Sequence, residues 1–169
     1  KLVLLEDELS GATQVIVDIY SRFLFESRFF EKRENGALAV AEIKELMTQS
    51  QIDAYGDGLD HNYLHPYMWT WKPHYYYADC SFYNFPYAFG LLLAKGLYAK
   101  YQKEGPAFSN TYEKLLSLTG KMSLEDVCLS VDIDLKDKAF WQSSIDTFKE
   151  DLELYQKLLS DKKIDETYE

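Results

Sequence analysis

The sequence has 169 residues, of which 47% are hydrophobic, and a formal net charge of −10 at pH 7. This length suits one domain with its own hydrophobic core, so we expect a single domain over residues 1–169. Lys and Arg are scattered through an acidic chain, which excludes a nucleic-acid partner because phosphate binding needs clustered cations. No apolar run is long enough for a membrane span or a signal peptide, so we expect no membrane partner and a cytoplasmic protein.

Helical periodicity dominates the first third of the chain. Apolar residues at three- and four-residue spacing predict one helix from Leu2 to Phe30 and another from Leu38 to Tyr55, together forming a hairpin. From Leu59 to Phe82 the periodicity is absent, and two prolines, Pro66 and Pro73, disfavour helical geometry. This stretch is predicted to be a long aromatic loop.

Four more helices are predicted after the loop. They run over Tyr83–Lys103, Asn110–Leu118, Ser123–Ser130 and Lys138–Leu159. Gly90 and Gly96 predict close approach of a neighbouring helix in the first of them, and Ser123 is a capping residue. The charged tail after Asp161 is expected to fray. No segment resembles a strand, so the predicted fold class is all-α, with about six helices and one long aromatic loop.

Two histidines at the start of the loop, His61 and His65, have the spacing of the zinc motif H-E-x-x-H. Asn62 occupies the position of the catalytic Glu, and Pro66 argues that His65 is not helical, so we interpret both histidines as local hydrogen-bonding groups. A self-contained zinc site formed by His61, His65 and His74 stays open as an alternative, because three protein ligands suffice for zinc. Cys80 and Cys128 lack a metal-binding spacing and indicate reduced thiols.

The second candidate constellation is His74 with the tyrosines around it. Phenols and an imidazole donate hydrogen bonds without a fixed charge, which suits an oxyanion forming on an attacked carbonyl. Trp69 and Trp71 make the same stretch look like the wall of a binding groove. The alternative is that these rings only fill the core and its rim, where their polar atoms reach water.

Several segments together resemble the oligoendopeptidase F family, zinc peptidases related to thimet oligopeptidase. The resemblance rests on residues 65–77 (HPYMWTWKPHYYY), residues 82–90 (FYNFPYAFG), residues 19–26 (IYSRFLFE), residues 55–60 (YGDGLD), residues 112–120 (YEKLLSLTG) and the helix that contains Phe140 and Trp141. It covers most of the chain, in the family's order.

The resemblance implies an all-helical, zincin-type oligopeptidase catalytic domain that hydrolyses short peptides with a zinc ion as cofactor. The zinc ligands would lie upstream of Lys1, so the chain is expected to be the C-terminal lobe of that domain, without zinc ligands and inactive alone. Its expected partners are a short peptide substrate and the missing N-terminal part of the same polypeptide.

The same resemblance assigns roles to the aromatic loop. His74, Tyr83 and Tyr87 would be catalytic donors, and the substrate-binding residues would be Tyr75, Tyr76, Tyr77, Trp69 and Trp71. The wider superfamily has a Gly-rich stretch after this His, where three tyrosines stand here, so the sequence leaves open which phenol reaches the oxyanion. The alternative function is a non-catalytic helical module that binds a peptide or protein.

Overall fold

The computed structural model describes the backbone of residues 1–165 and the side chains of residues 1–162. Every regular element in this range is helical, which confirms the all-α prediction. The helices are α1 (Leu2–Thr13), α2 (Ile19–Arg33), α3 (Val40–Tyr55), α4 (Phe85–Glu104), α5 (Phe108–Leu118), α6 (Leu124–Leu129) and α7 (Lys138–Asp165). None of them combines the length and the apolar character that crossing a membrane requires.

The first and the last helix differ most from the sequence-based expectation. Helices α1 and α2 are joined by a π-helical turn, Gln14–Asp18, so the predicted first helix is continuous but is widened at this turn. Helix α7 continues past the predicted end at Leu159 to Asp165, because residues 160–165 contain neither Gly nor Pro to end it. The tail predicted to fray after Asp161 is helical as far as Asp165, and the rest of it lies outside the described residues.

The chain forms two compact units, each with its own core. Residues Ser10–Phe89 form one, which we call the loop unit, and Lys1–Leu9 with Gly90–Glu169 form the other, the C-terminal unit. In the loop unit, α2 and α3 pack together around the buried side chains Phe25, Leu46 and Met47. The aromatic loop contributes Met68, Trp69 and Tyr75 to this core.

The predicted loop between α3 and α4 is ordered by short 3₁₀ turns. These turns comprise His61–Tyr63, Met68–Trp71 and Pro73–Tyr76. Asp60 caps the first by accepting a hydrogen bond from the Asn62 amide at 2.9 Å. Alternating turns and extended residues explain why this stretch has no helical periodicity.

The core of the C-terminal unit surrounds fully buried Cys128, with Leu97, Phe108 and Ile133 among its neighbours. A Cβ placed on Gly96 would lie only 2.4 Å from Cζ of Phe140, so the predicted close approach at Gly96 is confirmed. The same prediction is wrong for Gly90: a Cβ there would have no neighbouring atom of the described residues within 4 Å, because that face of α4 is open. Ser123 caps α6 as predicted.

Candidate functional site

The first hydrogen-bonded anchor of the aromatic loop is Gln51 of α3. Its amide is 1% exposed, and it donates to the His65 carbonyl and accepts from the His65 amide, each at 3.0 Å. The side chain therefore makes the two hydrogen bonds that a neighbouring strand residue would make. This pairing fixes the loop backbone directly before the segment that contains the tryptophans.

The second anchor is Glu26 of α2, which is 4% exposed. One of its carboxylate oxygens, Oε1, accepts a hydrogen bond of 2.7 Å from the Phe82 amide. Phe82 has φ 57°, a left-handed conformation that a bulky residue adopts only when surrounding contacts impose it. Burial raises the pKa of Glu26, and among the described residues its other oxygen, Oε2, has no hydrogen-bond partner.

His74 lies between these anchors, half-buried against the ring of Tyr75 at a centroid distance of 4.4 Å. Its Nε2 is 3.4 Å from Nδ2 of the buried Asn84. Burial, and then the positive charges of Arg22 and Lys72, lower the pKa of His74, so the imidazole is neutral at pH 7. With the Asn84 amide donating to Nε2, the imidazole proton resides on Nδ1.

One side of His74 faces a cavity of about 410 Å³, here called the polar cavity. It is lined by Gln14, Val15, Ile19, Arg22, Lys72, His74, Tyr83, Asn84 and Tyr87. The rings of Tyr83 and Tyr87 meet edge to face at 5.8 Å, and both residues are about half exposed. A hydrogen bond with the neighbouring Tyr87 hydroxyl raises the pKa of Tyr83, so the Tyr83 phenol stays protonated at neutral pH.

The other side of His74 faces the aromatic cavity, which has a volume of about 310 Å³. Its lining comprises Phe25, Glu26, Phe29, Phe30, Ile43, Trp69, His74, Tyr75, Tyr76, Tyr77 and Ser81. Polar atoms of two of these rings already form hydrogen bonds within the protein. Trp69 donates to the Pro66 carbonyl at 3.1 Å, and Tyr75 donates to the Arg22 carbonyl at 3.4 Å. The cavity therefore offers mainly ring faces to a ligand.

Seven of the eight residues predicted for the site thus line the two cavities, and His74 belongs to both linings. Trp71 belongs to neither lining; it is 61% exposed, and the Lys72 ammonium lies 3.9 Å from its ring centroid. The linings also include Arg22, Asn84 and Glu26, which sequence reasoning misses. Arg22 has a local signal, since it follows Asp18 by four residues on a helix, whereas buried Asn84 and Glu26 have none.

The histidines of the H-x-x-x-H pattern have other contacts. His61 Nε2 lies 2.9 Å from the Gly56 carbonyl, and the His65 backbone pairs with Gln51. Within the part of the chain that the structure describes, no three His, Cys, Asp or Glu side chains come together as a metal site.

Comparisons with protein-family models, with curated proteins and with solved structures returned no match to this chain.

Proposed function

We propose that this chain is the C-terminal lobe of a zincin-type, zinc-dependent oligopeptidase of the oligoendopeptidase F type, and that it binds short peptides and stabilises the oxyanion formed during hydrolysis. The observation that carries the proposal is one cavity lined by His74, Tyr83 and Tyr87 together. All three can donate hydrogen bonds without carrying a charge, which is what a developing oxyanion requires. The resemblance of the aromatic loop to the family supports the same assignment.

The described residues do not fit a zinc site, since no three ligands converge. Zinc, if held by the polypeptide upstream, would supply an activated water at neutral pH. The residues of this chain have a different task. The neutral His74 and the Tyr83 or Tyr87 hydroxyl would donate to the substrate carbonyl oxygen as it becomes negative, and the aromatic cavity would hold a neighbouring substrate side chain.

Hydrogen-bond geometry makes Tyr83 and Tyr87 better oxyanion donors than Tyr75 or Tyr76. The Tyr75 hydroxyl donates to the Arg22 carbonyl at 3.4 Å, and the Tyr76 hydroxyl lies 3.4 Å from the Trp69 carbonyl. The Tyr83 and Tyr87 hydroxyls interact with each other, which engages only one of their two protons, and both residues line the polar cavity. The proposed donors are therefore His74 with Tyr83 or Tyr87, and the remaining tyrosines form the wall.

The test uses the chain together with the segment encoded upstream of Lys1. Tyr83→Phe, Tyr87→Phe and His74→Phe are compared with Tyr63→Phe, which removes a phenol that is 85% exposed and lines neither cavity. Loss of an oxyanion donor should lower kcat by about 100-fold or more, with KM little changed, because the bond forms only in the transition state. Unchanged kcat/KM in all three site variants, relative to Tyr63→Phe, would contradict the assigned role.

The second candidate function is a non-catalytic module that binds a peptide through the aromatic cavity. Its supporting observation is that this cavity is lined by aromatic rings whose polar atoms are largely engaged. An upstream coding sequence without H-E-x-x-H would favour this module over the peptidase. For the chain alone we expect no zinc-dependent peptide hydrolysis, and efficient cleavage by the isolated chain would show that it contains its own metal site.

A further inference from the structure

Arg22 lines the polar cavity, and one of its donor atoms lacks a hydrogen-bond partner among the described residues. Its Nη2 forms an ion pair with Asp18, and the other Asp18 oxygen accepts a 3.0 Å hydrogen bond from the Tyr55 hydroxyl. The ion pair with Asp18, which Tyr55 in turn holds, therefore fixes the position of the guanidinium. Its Nε is buried, and the described residues provide it with no hydrogen-bond partner. A buried donor without an acceptor is rare in folded proteins, so Nε needs a partner that the described residues do not supply.

Lys72 adds a second cation to the same cavity. Its side chain is half-buried, and its ammonium contacts the Trp71 ring, but it forms no ion pair with any described residue. Burial, followed by repulsion from Arg22, lowers the pKa of Lys72, which is the response expected where two cations share a cavity. Asp18 is the carboxylate that offsets them, so the cavity retains about one net positive charge in a chain whose formal charge is −10.

We propose that Arg22 and Lys72 bind a carboxylate in the polar cavity, and that this carboxylate is the free carboxyl terminus of a short peptide. One net positive charge matches a monoanion, whereas a phosphate group carries about −1.5 to −2 at pH 7 and would leave uncompensated charge. The identification of the ligand as a peptide rests on the proposed function. Because both cations line the same cavity as His74, the bound carboxyl terminus would lie near the reacting carbonyl, which selects substrates cleaved close to that end.

Binding to the 169-residue chain tests this directly, without a catalytic readout. Calorimetry compares N-acetyl-trialanine as the free acid with the same peptide as its C-terminal amide. The free acid should bind about tenfold or more tightly, because the amide cannot form charge-assisted hydrogen bonds with both cations. Raising the salt concentration should weaken the binding of the free acid and leave the binding of the amide unchanged.

Three variants test which residues cause the preference for the free acid. Lys72→Gln and Arg22→Gln should each remove most of the preference for the acid. Arg28→Gln is the matched control, since Arg28 lies on the same helix and pairs with Asp53 at 2.6 Å outside both cavity linings. Circular dichroism checks that each variant folds. If Arg22→Gln unfolds through loss of the Asp18 pair, Lys72→Gln decides the question, because Lys72 has no ion pair among the described residues to lose.

Equal binding of acid and amide, or no binding of either, overturns the proposal. Inorganic phosphate binding more tightly than the peptide acid also overturns it, since the site would then prefer a dianion. The outcome is separable from that of the proposed function. If Lys72→Gln loses the preference for the free acid while the His74 and Tyr83 variants keep their kcat/KM, the carboxylate site stands and the oxyanion assignment is refuted. If Lys72→Gln keeps the preference while the His74 and Tyr83 variants lose kcat/KM, the oxyanion assignment stands and the carboxylate site is refuted.

Discussion

The two units of this chain fill their interiors with different side chains. Among the described residues, the loop unit buries five apolar side chains and five polar ones, whereas the C-terminal unit buries nine apolar side chains and two polar ones. The buried polar residues of the loop unit are Ser21, Glu26, Ser50, Gln51 and Asn84. Three of them contact the aromatic loop: Gln51 at His65, Glu26 at Phe82 and Asn84 at His74.

This difference shows how the loop unit keeps an irregular segment in one conformation. A loop without helical hydrogen bonds leaves backbone groups that need partners, and the buried side chains of Gln51 and Glu26 on the helices supply them at His65 and Phe82. The described part of the C-terminal unit has no comparable segment to hold, so apolar packing suffices. The interior of the loop unit is therefore organised around the candidate site, and the following predictions test that interpretation, from the largest expected effect to the smallest.

Replacing Gln51 with Ala should have the largest effect on stability. The change removes two hydrogen bonds to the His65 backbone and leaves a void at a position that is 1% exposed, so unfolding should become easier by about 2–3 kcal/mol. Gln49→Ala is the control on the same helix, because Gln49 is exposed and its side chain bonds Asp53 at the surface, and it should change stability by about 0.5 kcal/mol or less.

Urea denaturation measures both Gln51→Ala and Gln49→Ala, and hydrogen exchange of the His65 amide reports the loop locally. Faster exchange at His65 with little change at Cys128 is the expected pattern, because the anchor belongs to the loop unit alone. Equal destabilisation by the two substitutions would mean that the buried Gln51 amide does not hold the loop. Holding the loop would then not explain why the loop unit buries more polar side chains than the C-terminal unit.

The C-terminal unit should respond to steric change instead. In Gly96→Ala the new Cβ would lie 2.4 Å from Phe140 Cζ and 2.7 Å from Ser144 Oγ, so we expect a loss of about 1–2 kcal/mol despite the better helix propensity of Ala. Gly90→Ala on the same helix places its Cβ in open space and should raise stability by about 0.5–1 kcal/mol. Thermal unfolding that shifts both variants in the same direction would contradict this account.

Local signals explain which parts of the fold can be predicted from the sequence. The end of α3 at Tyr55 follows from Gly56, and this glycine adopts φ 57°. The start of α6 follows from the Ser123 cap, whose side chain accepts from the Asp126 amide at 3.2 Å. The π-helical turn Gln14–Asp18 has no such signal, because it contains neither a Gly nor a Pro to mark the change in helix type.

The candidate site likewise contains residues that can be predicted from the sequence and residues that cannot. Residue chemistry together with the resemblance of the aromatic loop selects His74, Tyr83 and Tyr87, and these three line one cavity. Arg22 and Glu26 belong to a helix far earlier in the sequence, and their contribution becomes visible only when tertiary packing brings that helix against the loop. A cation and a carboxylate within an amphipathic helix otherwise indicate a solvated face, so apart from the four-residue spacing of Asp18 and Arg22 no sequence pattern distinguishes them.

The smallest predicted effect concerns the protonation of Glu26. Its folded pKa lies above its usual value because of burial, so the folded state takes up a proton more readily than the unfolded chain. Stability therefore falls as the pH rises from about 4.3, the unfolded value, through the raised pKa of the folded state. Glu26→Gln keeps an oxygen that can accept from the Phe82 amide but cannot ionise, so its stability should not show this decline.

Urea denaturation from about pH 4 to about pH 8, a range that spans the carboxyl titration, tests this against Glu45→Gln, which removes an exposed carboxylate from α3. The stability of Glu26→Gln relative to the unsubstituted chain should rise with pH across the titration window, whereas that of Glu45→Gln should show no such rise. A flat difference for Glu26→Gln would mean that the carboxylate is solvated as at the surface. Its Oε2 would then have water as a partner. Glu26 would no longer count as a buried polar anchor of the loop unit, and the difference between the interiors of the two units would be smaller.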